Sequence, residues 1–396
     1  MTVTIKEVVV AGAARTPIGV FGGTLSQIPA PKLGAEAIKA AIERAGIDKE
    51  TVDECIMGCV LPAGQGQAPA RQASMYAGLP EKVECMTINK VCGSGTKSVM
   101  LAAQAIMVGH ADVIVAGGME SMSSAPYYLP DARWGMRMNN KQAIDGLVYD
   151  GLWDPYNDFH MGMAAELCAE KYELSREAQD EFAIESTRRA TEARDKGWFD
   201  EEITPITIPQ RKGDPIVMKT DEGIDRSRPE KIPSLRPAFK KDGTVTAANA
   251  SSINDGAAAL VLMSADKARE LGVKPIAKII NFCSAAQAPE WFTTAPVKAT
   301  KKLLDLTGMK VDDIDIWEVN EAFAVVNLAF EKELKVARDK VNVHGGAVVL
   351  GHPIGATGAR LLTTLIYAMK RHGGKTGLAT MCIGGGEAAS IILGSA

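Results

Sequence analysis

The amino-acid sequence predicts an α/β fold built from two similar halves, with strands covered by helices. Runs rich in β-branched residues alternate with segments whose apolar residues recur at helical spacing. In addition, a helix, a Gly-His or Gly-Gly pair, a strand and a glycine cluster follow one another twice, at about 93–121 and 355–388. That repeated order indicates an internal duplication whose halves pack together.

Strand and helix patterns define each half in more detail. In the first half we predict strands at Ile5–Ala14, Asp53–Val60, Val83–Asn89 and Ala111–Ala116, the last ending at Gly117-Gly118, and helices at Pro31–Ala45 and Gly93–Val108. In the second half we predict strands at Asp313–Val319 and Thr376–Cys382, and helices at Ala322–Lys335 and Gly355–His372.

The region between the halves has a different composition. It is richer in Pro, Trp, Tyr and charge, with predicted helices near Met161–Tyr172 and Ala178–Lys196. We therefore predict three units: 1–120 with 248–275, an inserted loop domain at 121–247, and 276–396. The cationic stretch at 133–141 indicates either a solvated or oligomer-contact loop, or a position near an anionic ligand.

Bulk composition excludes several classes of protein. Of 396 residues 46% are hydrophobic and 23% charged, which is typical of a globular protein. No apolar run approaches the roughly 18 residues of a membrane helix, and a net charge of −4 argues against nucleic-acid binding. We read the apolar run at Val8–Ala14 as a buried strand and not a signal peptide, so we expect a cytoplasmic protein.

The cysteines indicate free thiols in a reducing compartment. Their number, seven, is odd, and neither a C-x-x-C motif nor a zinc-ligand spacing is present. Most are expected to be buried and inert.

Cys92 is the first candidate for chemistry. It lies in the segment VCGSGT at 91–96, after a predicted strand and at the start of a predicted helix. Unpaired backbone N–H groups and the helix dipole should lower the thiol pKa from its usual value of about 8.5. Because a cysteine in such a place is more often structural than catalytic, further residues have to support the hypothesis.

His352 is the second candidate, in the segment GHPIGATG at 351–358. A histidine before a proline is usually a surface or capping residue. Here it occupies nearly the place in the second half that Cys92 occupies in the first. If the halves meet about a pseudo-twofold axis, thiol and imidazole face each other, which is the pairing a cysteine nucleophile needs.

Three further positions could be functional, but each also has a purely structural interpretation. Cys382 precedes Gly384-Gly385-Gly386, whose N–H groups could bind an oxyanion, but it could equally be a buried strand-end cysteine. Asn320 could simply cap a helix, and Ser251 could belong to a turn.

Taken together, the segments VCGSG, NEAF, GHPIGATG and CIGGG, in this order, resemble the thiolase family. The resemblance extends over almost the whole chain, including ARTPIG near the start, GGMESMS at 117–123 and NASSINDGAAA at 249–259. It implies the thiolase fold, a layered α-β-α-β-α arrangement. The segment FHMG at 159–162 is most like that of the short-chain, acetoacetyl-CoA group.

This resemblance implies a reversible Claisen condensation, two acetyl-CoA to acetoacetyl-CoA plus CoA, through an acyl-cysteine. Cys92 would hold the acetyl group, His352 would accept its proton, and Cys382 would move the α-proton of the second acetyl-CoA. Asn320, through a water, would work with His352 to stabilise the enolate oxygen. The N–H groups of Cys92 and Gly384 would form a second oxyanion hole, as a reaction with two anions requires.

The resemblance also implies binding residues and partners. Ser251 and His160 would line a pantetheine tunnel, with apolar walls from Leu152, Met161, Phe239 and Phe323. The substrates would be acyl-CoA and CoA, with no metal or redox cofactor, in a homodimer or homotetramer of fatty-acid, ketone-body or polyhydroxybutyrate metabolism.

Two segments depart from the family pattern. Either Arg226 or Arg228, or neither, would contact the CoA phosphates. The loop at 289–296 carries aromatic residues where short-chain relatives often have Met, which leaves a 3-ketoacyl-CoA thiolase of longer chain preference as an alternative.

Other classes fit less well. A papain-like cysteine hydrolase orders its residues Cys, His, Asn, whereas here Asn320 precedes His352. A non-catalytic binding subunit would be expected to lack the nucleophile or the base. A ketoacyl synthase would have histidine in place of Cys382, and a Rossmann dehydrogenase needs a different glycine spacing.

Overall fold

A computed structural model describes residues 5–396. The strands are β1 (Val8–Arg15), β2 (Gly19–Val20), β3 (Glu54–Gly58), β4 (Glu84–Ile88), β5 (Val113–Ser121), β6 (Tyr127–Tyr128), β7 (Ile144–Asp145), β8 (Trp153–Asp154), β9 (Phe159–His160), β10 (Ile206–Ile208), β11 (Ile216–Met218), β12 (Asn254–Ser264), β13 (Ala277–Ala286), β14 (Ile316–Val319), β15 (Thr376–Ile383) and β16 (Glu387–Gly394). The α-helices are α1 (Ala30–Ala45), α2 (Pro69–Tyr76), α3 (Ser94–Met107), α4 (Gly146–Gly151), α5 (Met161–Tyr172), α6 (Arg176–Asp195), α7 (Glu222–Arg226), α8 (Ala265–Glu270), α9 (Ala295–Thr307), α10 (Ala324–Leu334), α11 (Ala347–Leu350) and α12 (Thr357–His372).

Four strands of each half have the same pairing, which confirms the predicted duplication; the first half has an additional strand, β4, beside β3. In the first half β3 runs parallel to β5, and β5, β12 and β1 then pair antiparallel. In the second half β14 runs parallel to β15, and β15, β16 and β13 pair antiparallel in the same way. Even a register shift recurs, between Val10 and Gly12 in β1 and between Ile279 and Asn281 in β13.

Helices α3 and α12 form a layer between the two half-sheets. Their apolar side chains, such as Ile106 on α3 and Leu365 on α12, are fully buried in one core with strands of both halves. Outside the first half-sheet, α1 and α2 cover β1, β3, β5 and β12. Outside the second, α9 and α10 pack on β13–β16. The order of layers is therefore α-β-α-β-α, as the resemblance to thiolases predicted.

Glycines let the starts of α3 and α12 come into contact. A Cβ on Gly358 would lie 2.3 Å from the backbone nitrogen of Thr96, and one on Gly95 would lie 2.7 Å from the nitrogen of Ala359. A Cβ on Gly118 would lie 2.0 Å from the carbonyl oxygen of Gly355. Any other residue at these positions would force the backbone to shift, because real Cβ atoms do not approach backbone so closely. The glycine-rich segments that contain Cys92 and His352 are therefore in contact at the starts of α3 and α12.

The predicted elements are present, with differences at their ends. The first strand begins at Val8 instead of Ile5. The strand expected to end at Gly117-Gly118 continues to Ser121, since both glycines pair with β12. The strand expected from Asp313 begins at Ile316, because Val311–Asp313 form a 3₁₀ turn.

The inserted region is fixed to the first half by two buried ion pairs that share Arg15. At the end of β1, Arg15 donates to Glu202 Oε1 at 2.6 Å and to Asp221 Oδ1 at 2.7 Å. All three side chains are 0% exposed. The proposed limits of the three units remain a prediction. Among residues 5–396, no helix has the length and apolar character needed to cross a membrane.

Candidate active site

The predicted site residues surround one cavity of about 480 Å³. Ten of the twelve line it directly: Cys92, Leu152, His160, Met161, Arg226, Phe239, Ser251, Phe323, His352 and Gly384. The other two, Asn320 and Cys382, lie behind this surface and are 0% and 1% exposed. Residues from both halves and from the inserted region therefore converge on a single site.

Cys92 lies in a tight turn between β4 and α3. Val91 adopts φ 47°, Gly93 caps the helix and α3 begins at Ser94, two residues later than the thiol. Burial raises the pKa of the Cys92 thiol to about 11, although the N–H groups of Gly384 and of Cys92 itself act in the opposite direction. The expected lowering of this pKa is therefore wrong: among apolar neighbours, desolvation outweighs the helix terminus.

The hydrogen bonds around His352 define which ring nitrogen carries its proton. Thr357 Oγ1 donates to the carbonyl oxygen of Pro353 at 2.9 Å, so toward His352 Nδ1, at 2.7 Å, it acts as an acceptor. Nδ1 is then protonated and Nε2 keeps its lone pair. Burial lowers the pKa of His352 to about 3, so the imidazole is neutral at physiological pH. This is the form that can accept a proton.

Asn320 contacts Nε2, the unprotonated ring nitrogen of His352. Its Nδ2 lies 3.5 Å from His352 Nε2, and its buried Oδ1 has no hydrogen-bond partner among residues 5–396. The alternative that Asn320 caps a helix is wrong, since Phe323 occupies the N-cap of α10. A buried amide oxygen with no partner at a cavity wall is a position where a water or substrate donor can bind.

Cys382 is the second buried sulfur at the site, near the end of β15. Burial raises its pKa well above the usual range, and a negative charge on Cys92 would raise it further. The backbone N–H of Gly384, two residues on, is directed at the Cys92 sulfur. One glycine-rich turn thus brings both a thiol and a backbone donor to Cys92.

The inserted region supplies a polar group on one wall of the cavity. His160 stacks on Phe239 with ring centroids 4.8 Å apart, and its Nδ1 accepts a hydrogen bond from Gly162 N–H at 3.0 Å. Because Nδ1 accepts this bond it carries no proton, so the ring is neutral with its proton on Nε2, and burial lowers the His160 pKa in the same sense. His160 can therefore donate one hydrogen bond to a ligand carbonyl.

Ser251 and Arg226 occupy less buried parts of the wall. The Ser251 hydroxyl donates to the carbonyl oxygen of Ala322 at 2.9 Å, which fixes this loop against the segment before α10. Arg226 is 60% exposed at the cavity rim and lies 3.4 Å from Glu222. Arg228 donates to backbone carbonyl groups nearby and does not line the cavity.

Sequence reasoning missed two residues that position His352. Asn254 Oδ1 accepts from the His352 N–H at 2.9 Å, and Thr357 accepts from its ring. Both lie in segments that carry the family resemblance, at 249–259 and 351–358, but no role was predicted for either residue. It also missed apolar wall residues: Phe21, Val91, Met122, Phe292 and Ile354. Of these, only Phe292 gave a signal, as an aromatic in the loop at 289–296.

The fold and site define a class of enzyme, and comparison with known proteins agrees. Residues 8–266 match the family model described as thiolase, N-terminal domain, and residues 273–395 match the thiolase, C-terminal domain. The chain belongs to the thiolase family of enzymes.

Individual relatives cover nearly the whole chain. An acetyl-CoA acetyltransferase of Cupriavidus necator is 54% identical over 388 residues, covering 98% of this chain and 99% of the relative. A probable acetyl-CoA acyltransferase of Staphylococcus aureus is 51% identical over 390 residues, with 98% and 99% coverage. The crystal structure of the Bacillus anthracis acetyl-CoA acetyltransferase is similar with a TM-score of 0.97 at 41% identity, covering 100% of both chains.

Proposed function

We propose that this enzyme catalyses the reversible condensation of two acetyl-CoA to acetoacetyl-CoA and CoA, with Cys92 as the acylated residue. The observation that carries the proposal is the convergence of two thiols, one neutral imidazole and a backbone N–H donor at one cavity. The names of the relatives, acetyl-CoA acetyltransferases, support the choice of substrate.

In the first half-reaction, Cys92 attacks the thioester carbonyl as its proton passes to His352 Nε2. Because both groups are neutral beforehand, proton transfer accompanies attack. The N–H groups of Cys92 and Gly384 stabilise the tetrahedral oxyanion. Its collapse breaks the bond to the CoA sulfur, which leaves with the proton of Cys382.

In the second half-reaction, the Cys382 thiolate removes an α-proton from the bound second acetyl-CoA. Acylation favours this step, because it removes the possibility of a charge on Cys92 that would oppose ionisation of Cys382. His352 and Asn320 stabilise the enolate oxygen. The enolate carbon attacks the acetyl group, and the expelled Cys92 sulfur recovers its proton from His352.

A 3-ketoacyl-CoA thiolase of longer chain preference is the second candidate. The observation that bears on it is Phe292, which is 3% exposed, lines the cavity and packs on Phe323 with ring centroids 6.4 Å apart. A rigid aromatic wall at this position favours a short acyl group. Thiolysis of acetoacetyl-CoA compared with 3-ketohexanoyl-CoA separates the two candidates.

Two cysteine variants test the assignment of roles. We expect Cys92→Ala to form no acetyl-enzyme detectable by intact-protein mass spectrometry. We expect Cys382→Ala to acetylate, more slowly, but to lose exchange of acetyl-CoA α-protons with D₂O. Cys283→Ala, a buried cysteine outside the cavity, is the matched control. Wild-type turnover in both site variants would refute the proposal.

We also propose a cytoplasmic homodimer or homotetramer. Seven free cysteines are consistent with a reducing compartment. In the segment between β6 and β7, several apolar side chains are exposed, among them Trp134 at 77% and Met138 at 89%. Light scattering on the wild type and on Trp134→Glu tests whether this loop joins subunits: the variant should have a lower mass.

A further inference from the structure

Helix α12 carries a polar stripe inside the middle layer of the molecule. Thr357, Arg360 and Thr364 follow one another at spacings of three and four residues, so their side chains lie on one face of the helix. All three are at most 2% exposed, although most of the other buried residues of α12 are apolar. Thr357 Oγ1 lies 2.7 Å from His352 Nδ1, so the stripe begins at the residue that orients His352.

Arg360 joins this helix to the strand that leads to Asn320. Its Nη1 donates to Glu318 Oε2 on β14 at 3.3 Å, and the two side chains are 2% and 0% exposed. Asn320 follows Glu318 by two residues, and its Nδ2 lies 3.5 Å from His352 Nε2. One turn before Arg360, Thr357 holds the other ring nitrogen. The pair therefore links the two segments that place Asn320 against His352.

The hydrogen bonding of this pair is incomplete. Within residues 5–396, Arg360 Nε and Nη2 and Glu318 Oε1 have no hydrogen-bond partner. Buried charged groups stabilise a fold only where good geometry and further hydrogen bonds satisfy them, and apolar residues of similar volume are often equally stable or more so. Stability alone therefore does not account for these two side chains, and their link to Asn320 and Thr357 points to a role in the site.

The link requires a hydrogen-bond acceptor on Glu318 but not a full negative charge. Burial raises the pKa of Glu318 to about 8, although Arg360 acts in the opposite direction. At neutral pH the carboxyl group therefore holds a proton in most molecules, and its other oxygen still accepts from Arg360. Glutamine has nearly the same shape and an amide oxygen that can accept in the same way, so it is a conservative replacement at this position.

We propose that Glu318 and Arg360 are positioning residues for the enolate step and act through Asn320. They hold the Asn320 amide against His352 Nε2, so that both groups face the enolate oxygen of the second acetyl-CoA. The inference rests on the condensation proposed above and adds two residues that do not line the cavity. Without the link, Asn320 moves relative to His352 and the enolate forms more slowly, whereas Cys92 can still be acetylated.

The double variant Glu318→Leu/Arg360→Met tests the proposal, because it replaces both polar side chains at once and leaves neither without its partner. We expect its free energy of unfolding and its rate of Cys92 acetylation by acetyl-CoA to stay close to the wild type. Exchange of acetyl-CoA α-protons with D₂O should be slower by about tenfold, the scale of a small misplacement of a stabilising group. Denaturant unfolding, intact-protein mass spectrometry and NMR of acetyl-CoA measure the three quantities.

Three further variants separate positioning from a general effect on structure. Glu318→Gln keeps an acceptor for Arg360 and should retain wild-type exchange. Arg360→Lys keeps the buried charge but loses the guanidinium group, and should slow exchange selectively even if the double variant does not fold. In an Asn320→Ala background, the loss of Glu318 and Arg360 should slow exchange no further, because residues that act through one group are not additive.

Glu331→Leu/Arg338→Met is the matched control. This pair lies 2.9 Å apart at the other end of the second half's helix α10 and does not line the cavity, so both rates should stay unchanged. The inference is overturned if Arg360→Lys and the double variant exchange α-protons at the wild-type rate, if acetylation falls as much as exchange, or if the effects add to that of Asn320→Ala. A wild type that neither acetylates nor exchanges would instead contradict the proposed condensation itself.

Discussion

At the scale of single residues, Thr357 and burial together set the protonation state of Cys92 and His352. The hydroxyl of Thr357 orients the imidazole of His352 with its lone pair toward the cavity. Burial then keeps both partners neutral, with a pKa of about 11 for Cys92 and about 3 for His352. The free enzyme therefore holds a thiol and an imidazole, and not a thiolate–imidazolium ion pair.

This neutral pair predicts how Cys92 reacts with an alkylating agent. Because the thiolate is the nucleophile, the rate of iodoacetamide reaction should rise about tenfold per pH unit between about pH 7 and pH 9. The rate of adduct formation on peptide 91–97 measures it. A plateau above neutral pH would instead indicate a preformed ion pair. The Cys283→Ala variant should behave as the wild type.

Phe292 predicts a change in chain-length preference. Phe292→Ala should raise the ratio of kcat/KM for 3-ketohexanoyl-CoA over acetoacetyl-CoA by about tenfold, the scale of one to two methylenes in an apolar pocket. Trp291→Ala is the matched control, since Trp291 lies in the same loop but contacts Lys171 and does not line the cavity. An unchanged ratio in Phe292→Ala would show that another wall limits the acyl chain.

That the site residues surround one cavity could be predicted from the sequence, but the pKa values of their side chains could not. Glycine-rich segments at strand or helix ends contain Cys92, His352 and Cys382, and this local pattern can be recognised in the sequence alone. The pKa of Cys92 depends on burial by residues distant along the chain, such as Ile354 in the second half. The expectation based on the helix N-terminus alone therefore gave the wrong direction for the pKa shift of Cys92.

At the scale of elements, the contact between the starts of α3 and α12 positions Cys92 against His352. Glu120 at the end of β5 contributes, since its buried carboxylate accepts hydrogen bonds from Val60 at 3.0 Å and from Gly355 at 2.8 Å. It thereby holds the loop that carries His352 to the first half. The glycines of this contact were visible in the sequence, but their partners across the halves were not.

Gly358→Ala tests how closely these two elements must approach. The added Cβ would lie 2.3 Å from both the nitrogen and Oγ1 of Thr96. We expect a loss of about 1–3 kcal/mol in the free energy of unfolding and a larger relative loss of kcat than of substrate affinity, because Cys92 and His352 separate. Denaturant unfolding and steady-state kinetics measure the two effects.

The matched control is Gly374→Ala, just after α12, where an added Cβ would lie 3.2 Å from the Ile316 side chain. That neighbour is a flexible side-chain end, so the variant should keep wild-type kcat. Equal effects of the two substitutions would contradict the proposed role of the helix contact.

At the scale of the whole molecule, Arg15 joins the first half to the inserted region. Its guanidinium and its two carboxylate partners are removed from solvent, so loss of the cation leaves uncompensated buried charge. Arg15→Met should lower the free energy of unfolding by about 3–5 kcal/mol. Denaturant titration followed by fluorescence measures it. Lys39→Met, which breaks the exposed pair with Glu36, should leave the unfolding midpoint unchanged.

The middle layer of helices has a consequence for how the chain can be divided. Apolar side chains of α3 and α12 are covered by strands of both halves, so a fragment containing only residues 1–275 would present one side of α3 to water. Such a fragment should aggregate or bind hydrophobic dyes when expressed alone. The ancestral single unit implied by the duplication would have met the same difficulty, and pairing with a second copy of itself would have resolved it.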